Sequence, residues 1–293
     1  MSRGDFHTHS TRSDGTLSPT ALVKLAWQNG VRVQALTDHD TVAGITEARE
    51  AVARFPGMLL VPGVELSCDL PGTEVHMLGL FVDSEDEHLL AELARLQEGR
   101  VARGRGIVEA LDRLGVPIDW TRVREIAGDA SVGRPHIAQV MLERGHVASL
   151  TEAFDRYLAR NGPAYVEREK LDPEEAIAMI TAAGGLAVLA HPSFTRDHDV
   201  VAARLAAAGL FGMEVYYKNY APELVEELRL LAEQLGLFAL GGSDYHGLPR
   251  QDEREPGDIP LPDEVVILFL KEARRRGCNV SEPTTEQAEE SLA

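Results

Sequence analysis

Short apolar runs rich in Val, Leu, Ile and Ala alternate with amphipathic stretches over most of this 293-residue chain, and that alternation limits the folds open to it. Arg3 to Phe6, Val31 to Leu36, Met58 to Val61 continuing into Val64 to Ser67, Glu74 to Val82, Leu186 to Ala190, Phe211 to Tyr216 and Leu237 to Leu240 read as strands. Helix signals lie between them. Ser18-Pro19 is an N-cap and first-turn pair, Leu22, Leu25 and Ala26 give an apolar face, and Asn29-Gly30 is a stop. Further helices are expected at Thr41 to Arg54, from near Ser84, after Asp172-Pro173, and at Asp199 to Ala208, Pro222 to Leu235 and Asp263 to Arg275. Pro71-Gly72 marks a turn. Strands alternating with helices predict an α/β fold with mostly parallel strands.

The texture changes between about Arg100 and Tyr165. Strand-like runs disappear, and Ile107, Leu111 and Leu114, then Ile137, Val140 and Met141, then Leu150, Phe154 and Leu158 recur at helical spacing. Basic residues gather here, among them Arg100, Arg103, Arg113, Arg122, Arg134 and Arg144. The expected organisation is an α/β body of residues 1–99 and 166–280, a small all-helical insertion at 100–165, and a polar, acidic, disordered tail at 281–293.

The polar residues at strand ends carry the chemistry. His7 and His9 stand two apart, so on a strand both rings point to one face, as a chelate for a transition metal requires. Asp14 follows past a Ser/Thr/Gly-rich bend that can return its carboxylate toward them. His39, Glu65, His76, His191, Asp244 and His246 sit at or near the ends of later strands, where α/β barrels and open α/β sheets place their sites. His76 alone, inside a strand, fits a satisfied core histidine. Together the nine suit Mn2+, Fe2+ or Zn2+ better than Ca2+ or Mg2+. They are too many for one ion and furnish three if a carboxylate bridges.

Composition excludes other classes. The formal net charge of −18 argues against gripping duplex nucleic acid, which needs an extended basic footprint, but allows a small phosphorylated ligand in a local cationic pocket. No apolar run is long enough to cross a bilayer, and the first residues lack a basic-then-apolar signal pattern, so a cytoplasmic protein is expected. Cys68 and Cys278 cannot make a disulfide framework.

Phe6-His-Thr-His-Ser with Ser13-Asp-Gly-Thr, Leu36-Thr-Asp-His-Asp-Thr, Gly63-Val-Glu-Leu-Ser, His76, Ala190-His-Pro and Gly242-Ser-Asp-Tyr-His, in this order, resemble the PHP (polymerase and histidinol phosphatase) superfamily. The resemblance implies a distorted seven-stranded (β/α) barrel holding three divalent metals. It implies His7, His9, Glu65 and Asp244 on the first, Asp14, His39 and His246 on the second, and Glu65, His76 and His191 on the third. Some relatives carry a histidine where this chain has Asp14. Asp38 and Asp40 are expected to support ligands rather than to bind metal.

The helical insertion resembles the nucleotide phosphoesterase branch, and Gly133-Arg-Pro-His-Ile-Ala looks like that branch's substrate-binding segment. Arg134 would fork onto a phosphate that His136 also contacts. The implied reaction is metal-assisted phosphomonoester hydrolysis in which cations neutralise the phosphoryl oxygens and a metal-bound hydroxide attacks phosphorus. Its first substrate is a nucleoside 3′,5′-bisphosphate losing its 3′-phosphate. A 5′-mononucleotide, a short 5′-phosphorylated RNA trimmed from the 5′ end, and histidinol phosphate are the alternatives. A non-catalytic scaffold is the reading from another class, disfavoured because none of the nine ligands is missing. Asp40, His191 and a metal-bound water are the candidate proton donors. Tyr165, Lys170, Tyr216 and Lys218 are candidates only for lining the pocket.

Overall fold

The computed structural model describes residues 1–128, 130–167, 171–249 and 252–280. Lys170 and the tail at 281–293, expected to be disordered, lie outside the described residues. The elements run β1 (Gly4–Asp5), α1 (Pro19–Gln28), β2 (Val33–Leu36), α2 (Ile45–Val52), β3 (Leu59–Leu70), β4 (Thr73–Leu80), α3 (Glu87–Arg113), α4 (Trp120–Ala127), α5 (Arg134–Glu143) and α6 (Leu150–Ala153). A π-helical turn (Phe154–Leu158) follows α6. Then come α7 (Pro173–Ala182), β5 (Leu186–Leu189), a 3-10 turn (Pro192–Phe194), α8 (His198–Ala207), β6 (Gly212–Tyr217), α9 (Pro222–Leu235), β7 (Phe238–Gly242) and α10 (Asp263–Arg275).

The strands form one seven-stranded sheet in sequence order. It curls into a nearly closed barrel. The Phe6 N–H donates to the Gly241 carbonyl, and Thr8 bridges to Tyr245 in parallel. The α/β barrel expected from the resemblance is therefore present. Neighbouring strands are parallel except β4, which runs antiparallel to both β3 and β5. The cause is local. Pro71-Gly72 turns the chain back at once, with Gly72 at φ +86°, and a two-residue turn can only join antiparallel strands.

This hairpin places two site residues. β3 pairs with β2 only over Leu59–Pro62, whereas its pairing with β4 continues to Leu70. The hairpin tip thus projects past the barrel rim on the side where the parallel strands end. Glu65 lies where β3 leaves the barrel, and His76 pairs opposite Ser67 on the returning strand. Both are inside strands in sequence yet at the mouth in space.

Most expected boundaries hold to within a few residues. α1 begins with Ser18 accepting from the Ala21 N–H at 3.2 Å, and α3 with Asp86 accepting from Leu89 at 2.7 Å. α2 starts at Ile45 rather than Thr41 because Asp40 sits at φ +50° and gives its N–H to the Glu65 carbonyl. Two hydrophobic cores form. The larger fills and surrounds the barrel; the smaller is built from residues between Ile107 and Ala164. α3 serves both, with Leu89, Leu93 and Leu96 in the first and Ile107, Ala110 and Leu111 in the second. At 27 residues it spans about 40 Å.

Candidate metal centre

The segment after β1 runs along the barrel mouth and is fixed by backbone bonds on both sides. The His9 N–H donates to the Tyr245 carbonyl at 2.9 Å, and the Asp244 N–H donates to the His7 carbonyl at 2.8 Å. His7 and His9 are thereby held together and fully buried. Their Nε2 atoms lie 3.4 and 3.3 Å from Glu65 Oε2 and 3.3 and 3.1 Å from Asp244 Oδ1. β7 can approach this closely because position 242 is glycine: a Cβ there would stand 2.2 Å from the Cβ of His7.

Two further groups share members with the first. His9, Asp14, His39 and His246 form one, with His246 Nε2 at 3.3 Å from Asp14 Oδ1 and the His9 and His246 rings stacked at 4.1 Å. His39, Glu65 and His76 form the other, with His39 Nδ1 2.8 Å from Glu65 Oε2 and His76 Nδ1 2.7 Å from Glu65 Oε1. His191 Nε2 reaches Glu65 Oε1 at 3.3 Å from β5. In each of the three groups the ligand atoms lie within 4.8 Å of one another. All nine residues singled out from the sequence therefore meet at one end of the barrel, around Glu65. The grouping differs from the implied one in three respects. His9 also stands with the Asp14 set, and His39 also stands with Glu65 and His76. His191, implied with Glu65 and His76, falls outside the three groups and only approaches Glu65.

The donor set fits divalent cations. His7 Nε2, His9 Nε2, Asp14 Oδ1, His39 Nδ1 and Glu65 Oε2 are buried without a hydrogen bond, each at a cost of about 1–3 kcal/mol. Orphaned donor atoms that converge in this way are what cations would satisfy. Burial and the adjacent His246 and His39 rings hold His9 down to about 3, so it is neutral and ready to ligate. Burial opposes charge on Glu65, Asp14 and Asp244, but the surrounding imidazoles outweigh it, joined at Asp244 by Lys218, and hold all three well below the usual carboxylate range. Burial likewise opposes a proton on His7, yet Glu214, Glu65 and Asp244 raise it well above the ordinary value.

A supporting ring surrounds these residues. Glu214 of β6 places both carboxylate oxygens 3.2 Å from His7 Nδ1 and accepts from the His191 N–H at 2.7 Å. Sequence reasoning missed it. The available signal was a glutamate in the middle of the apolar run Gly-Met-Glu-Val-Tyr-Tyr. Asp38 takes three bonds from Ser10 and Ser13 and so shapes the bend that delivers Asp14. The Tyr217 hydroxyl donates to Asp244 Oδ2 at 2.7 Å, and Lys218 Nζ donates to the Asp244 carbonyl at 2.8 Å. Asp40, His191 and Asp244 all hold positive φ, a strain of about 1–3 kcal/mol each that marks sites where geometry is imposed.

A cavity of about 160 Å³ opens between the cluster and the smaller core. Its lining includes Asp14, His39, His76 and His246 of the cluster together with Arg100, Arg103 and Arg134. Arg134, at the start of α5, pairs with Glu74 at 3.1 Å and lies over the Phe154 ring at 5.8 Å. His136 is buried, and its Nδ1 accepts the Gly133 N–H at 3.0 Å, closing the first turn of α5. Asp40 is fully buried. Its Oδ1 accepts from the Ser67 N–H at 3.0 Å and its Oδ2 from Arg100, whose Nη2 also donates to Ser67 Oγ at 2.6 Å. Of the residues named only as pocket candidates, Tyr165 stacks against Arg103 at 5.1 Å, Lys218 anchors Asp244, and Tyr216 is buried in the larger core.

Residues 5–105 match the PHP domain. The chain is 39% identical over 250 residues to a 5′-3′ exoribonuclease of Salmonella typhimurium, covering 83% of this chain and 84% of that one. It is 33% identical over 268 residues to a 3′,5′-nucleoside bisphosphate phosphatase of Chromobacterium violaceum, covering 89% and 93%. Among solved structures, a protein from Bifidobacterium adolescentis taken to be a metal-dependent phosphoesterase superposes with a TM-score of 0.82 at 31% identity, over 92% of this chain and 95% of that one. Barrel, cluster and relatives together define a metal-dependent hydrolase of phosphoric esters. The chain belongs to the PHP-domain family. Among the described residues, no helix is long and apolar enough to cross a membrane.

Proposed function

We propose that this phosphoesterase removes the 3′-phosphate of nucleoside 3′,5′-bisphosphates. The observation that carries the reading is the cavity, whose lining combines arginines with residues of the ligand cluster. That lining suits a substrate with one reacting and one anchored phosphate. The ligands divide among three divalent ions of the Mn2+, Fe2+ or Zn2+ type. His7, His9, Glu65 and Asp244 take one, Asp14, His39 and His246 the next with His9 at its edge, and Glu65, His76 and His191 the third. Such ions supply Lewis acidity, polarising the phosphoryl group and acidifying water.

The protein's own residues orient and hold. Arg134, kept in place by Glu74 and Phe154, anchors the non-reacting phosphate, and residues 100–165 act as the insertion that carries it. His136 contributes through Gly133 and the first turn of α5. Asp40, with both oxygens engaged, orients Arg100 rather than transferring a proton; with His191 taken as a ligand, a metal-bound water is the remaining candidate for that transfer. Arg134→Ala is expected to raise KM for a bisphosphate on the order of tenfold or more, with a smaller change for a 5′-mononucleotide. Equal changes on both would remove the anchoring role.

A second reading is favoured by the higher identity to the Salmonella exoribonuclease than to the bisphosphate phosphatase. The same cluster would then release the terminal nucleotide from the 5′ end of a short RNA. A product screen over nucleoside 3′,5′-bisphosphates, 5′-mononucleotides and short 5′-phosphorylated RNAs decides between the two. Inorganic phosphate from the first class supports phosphatase action; mononucleotides from the third support the exonuclease.

A further inference from the structure

Phe194 packs against His191 and takes no part in the chemistry above. The residue is 67% exposed, and it is the single aromatic among the exposed large hydrophobic residues described. Scattered exposed apolar residues are ordinary and need no explanation. Phe194 differs in its mount and its place.

The mount is rigid. Phe194 ends the 3-10 turn that begins directly after His191. The His191 N–H is tied to Glu214, the Ser193 hydroxyl donates to the Tyr220 hydroxyl at 2.8 Å, and the Arg196 N–H donates to Thr73 Oγ1 at 3.0 Å. The turn is thus fastened to β6, to the loop after it, and to the tip of the β3–β4 hairpin. The ring itself meets Tyr217 edge-to-face, with centroids 5.9 Å apart at 86°, and tilts against His191 at 5.4 Å. These contacts fix the ring while much of its surface stays open to solvent.

The place is one ring beyond the ligand cluster. The His191 ring lies 5.1 Å from that of His76 and 5.4 Å from that of Phe194. An exposed aromatic surface held against a histidine of the cluster, on a turn fastened to the hairpin that carries Glu74, matches a nucleobase platform. Stacking on such a surface is tolerant of base identity because every base has a π-face.

We propose that Phe194 is a specificity-determining residue whose ring stacks on the base of the nucleotide substrate. The proposal rests on the substrate being a nucleotide and adds where its base sits. The test compares kcat/KM, with added Mn2+, for adenosine 3′,5′-bisphosphate and for a base-free 1-deoxyribose 3,5-bisphosphate. Phe194→Ala should lower the ratio of the two values roughly 5- to 100-fold, mainly through KM, and Phe194→Trp should retain it. A ratio unchanged in Phe194→Ala overturns the proposal.

A binding measurement separates this outcome from failure of the bisphosphate reading. Wild-type protein should quench the fluorescence of 2-aminopurine riboside 5′-monophosphate, Phe194→Ala should lose that quench, and Phe194→Trp should keep it. Equal quenching by wild type and Phe194→Ala overturns base stacking whichever phosphate ester is cleaved. Poor hydrolysis of bisphosphates alongside a Phe194-dependent quench overturns only the choice of substrate.

Discussion

Glu65 is buried where five imidazoles converge, and its two oxygens approach His7, His9, His39, His76 and His191. No one of these contacts makes a site; their convergence on a single carboxylate does. Glu214 stands behind them and orients His7 through Nδ1, which leaves Nε2 for the cluster. Supporting partners of this kind commonly govern about 10- to 100-fold in metal affinity. Glu214→Gln should therefore weaken metal binding by that order in a competition titration with a chelator, while circular dichroism stays unchanged. Wild-type affinity would show that His7 needs no such partner. His246 offers a pH test. Burial opposes its charge, yet Asp14 and Asp244 push it up to about 9, above the unfolded value of about 6.5. The folded state holds that proton more tightly, so the stabilisation is complete below pH 6.5 and is lost as pH rises toward 9. The raised values of His7 and His191 act with the same sign. Metal-stripped protein should lose melting temperature across that window, and His246→Gln should make the decline shallower. Identical slopes would remove His246 from the account.

At the level of elements, two features do most of the positioning. The β3–β4 hairpin carries Glu65, His76 and Glu74, and it exists because Pro71-Gly72 reverses the chain. α3 links the barrel to the smaller core, and its Arg100 reaches back to the buried Asp40 and to Ser67. Arg100→Met strips a guanidinium from a fully buried carboxylate and should cost about 3–5 kcal/mol, read as a shift of the urea midpoint. A shift equivalent to less than about 1 kcal/mol would place that pair among the weak surface-like ion pairs. The ends of α1, α9 and α10 were legible from caps and prolines alone. Those of β1 and α2 were not, because barrel closure and the turned backbone at Asp40 decide them.

For the whole molecule, the net charge of −18 and the few arginines gathered at one cavity point to a short ligand. A protein contacting many phosphates loses about 10³–10⁵ in affinity between 50 and 200 mM salt. Here kcat/KM on a nucleoside bisphosphate should fall less than about tenfold over that range. A thousandfold fall would indicate an extended polyanion track instead.

The sequence by itself determined the α/β alternation, the family and the nine candidate ligands, because each is written in local residue pattern: strand-end histidines, Gly-Gly-Ser-Asp at β7's exit, capping pairs. It did not determine which ligands share a group, for that depends on distances across the barrel mouth between residues as far apart as His9 and His246. Nor did it reveal Glu214 or Phe194. A glutamate within an apolar strand and a phenylalanine after a proline look ordinary until folding turns one inward against His7 and leaves the other exposed beside His191. Chain pattern records what each segment prefers. Only tertiary packing decides which side chains lose water and which keep a face toward it.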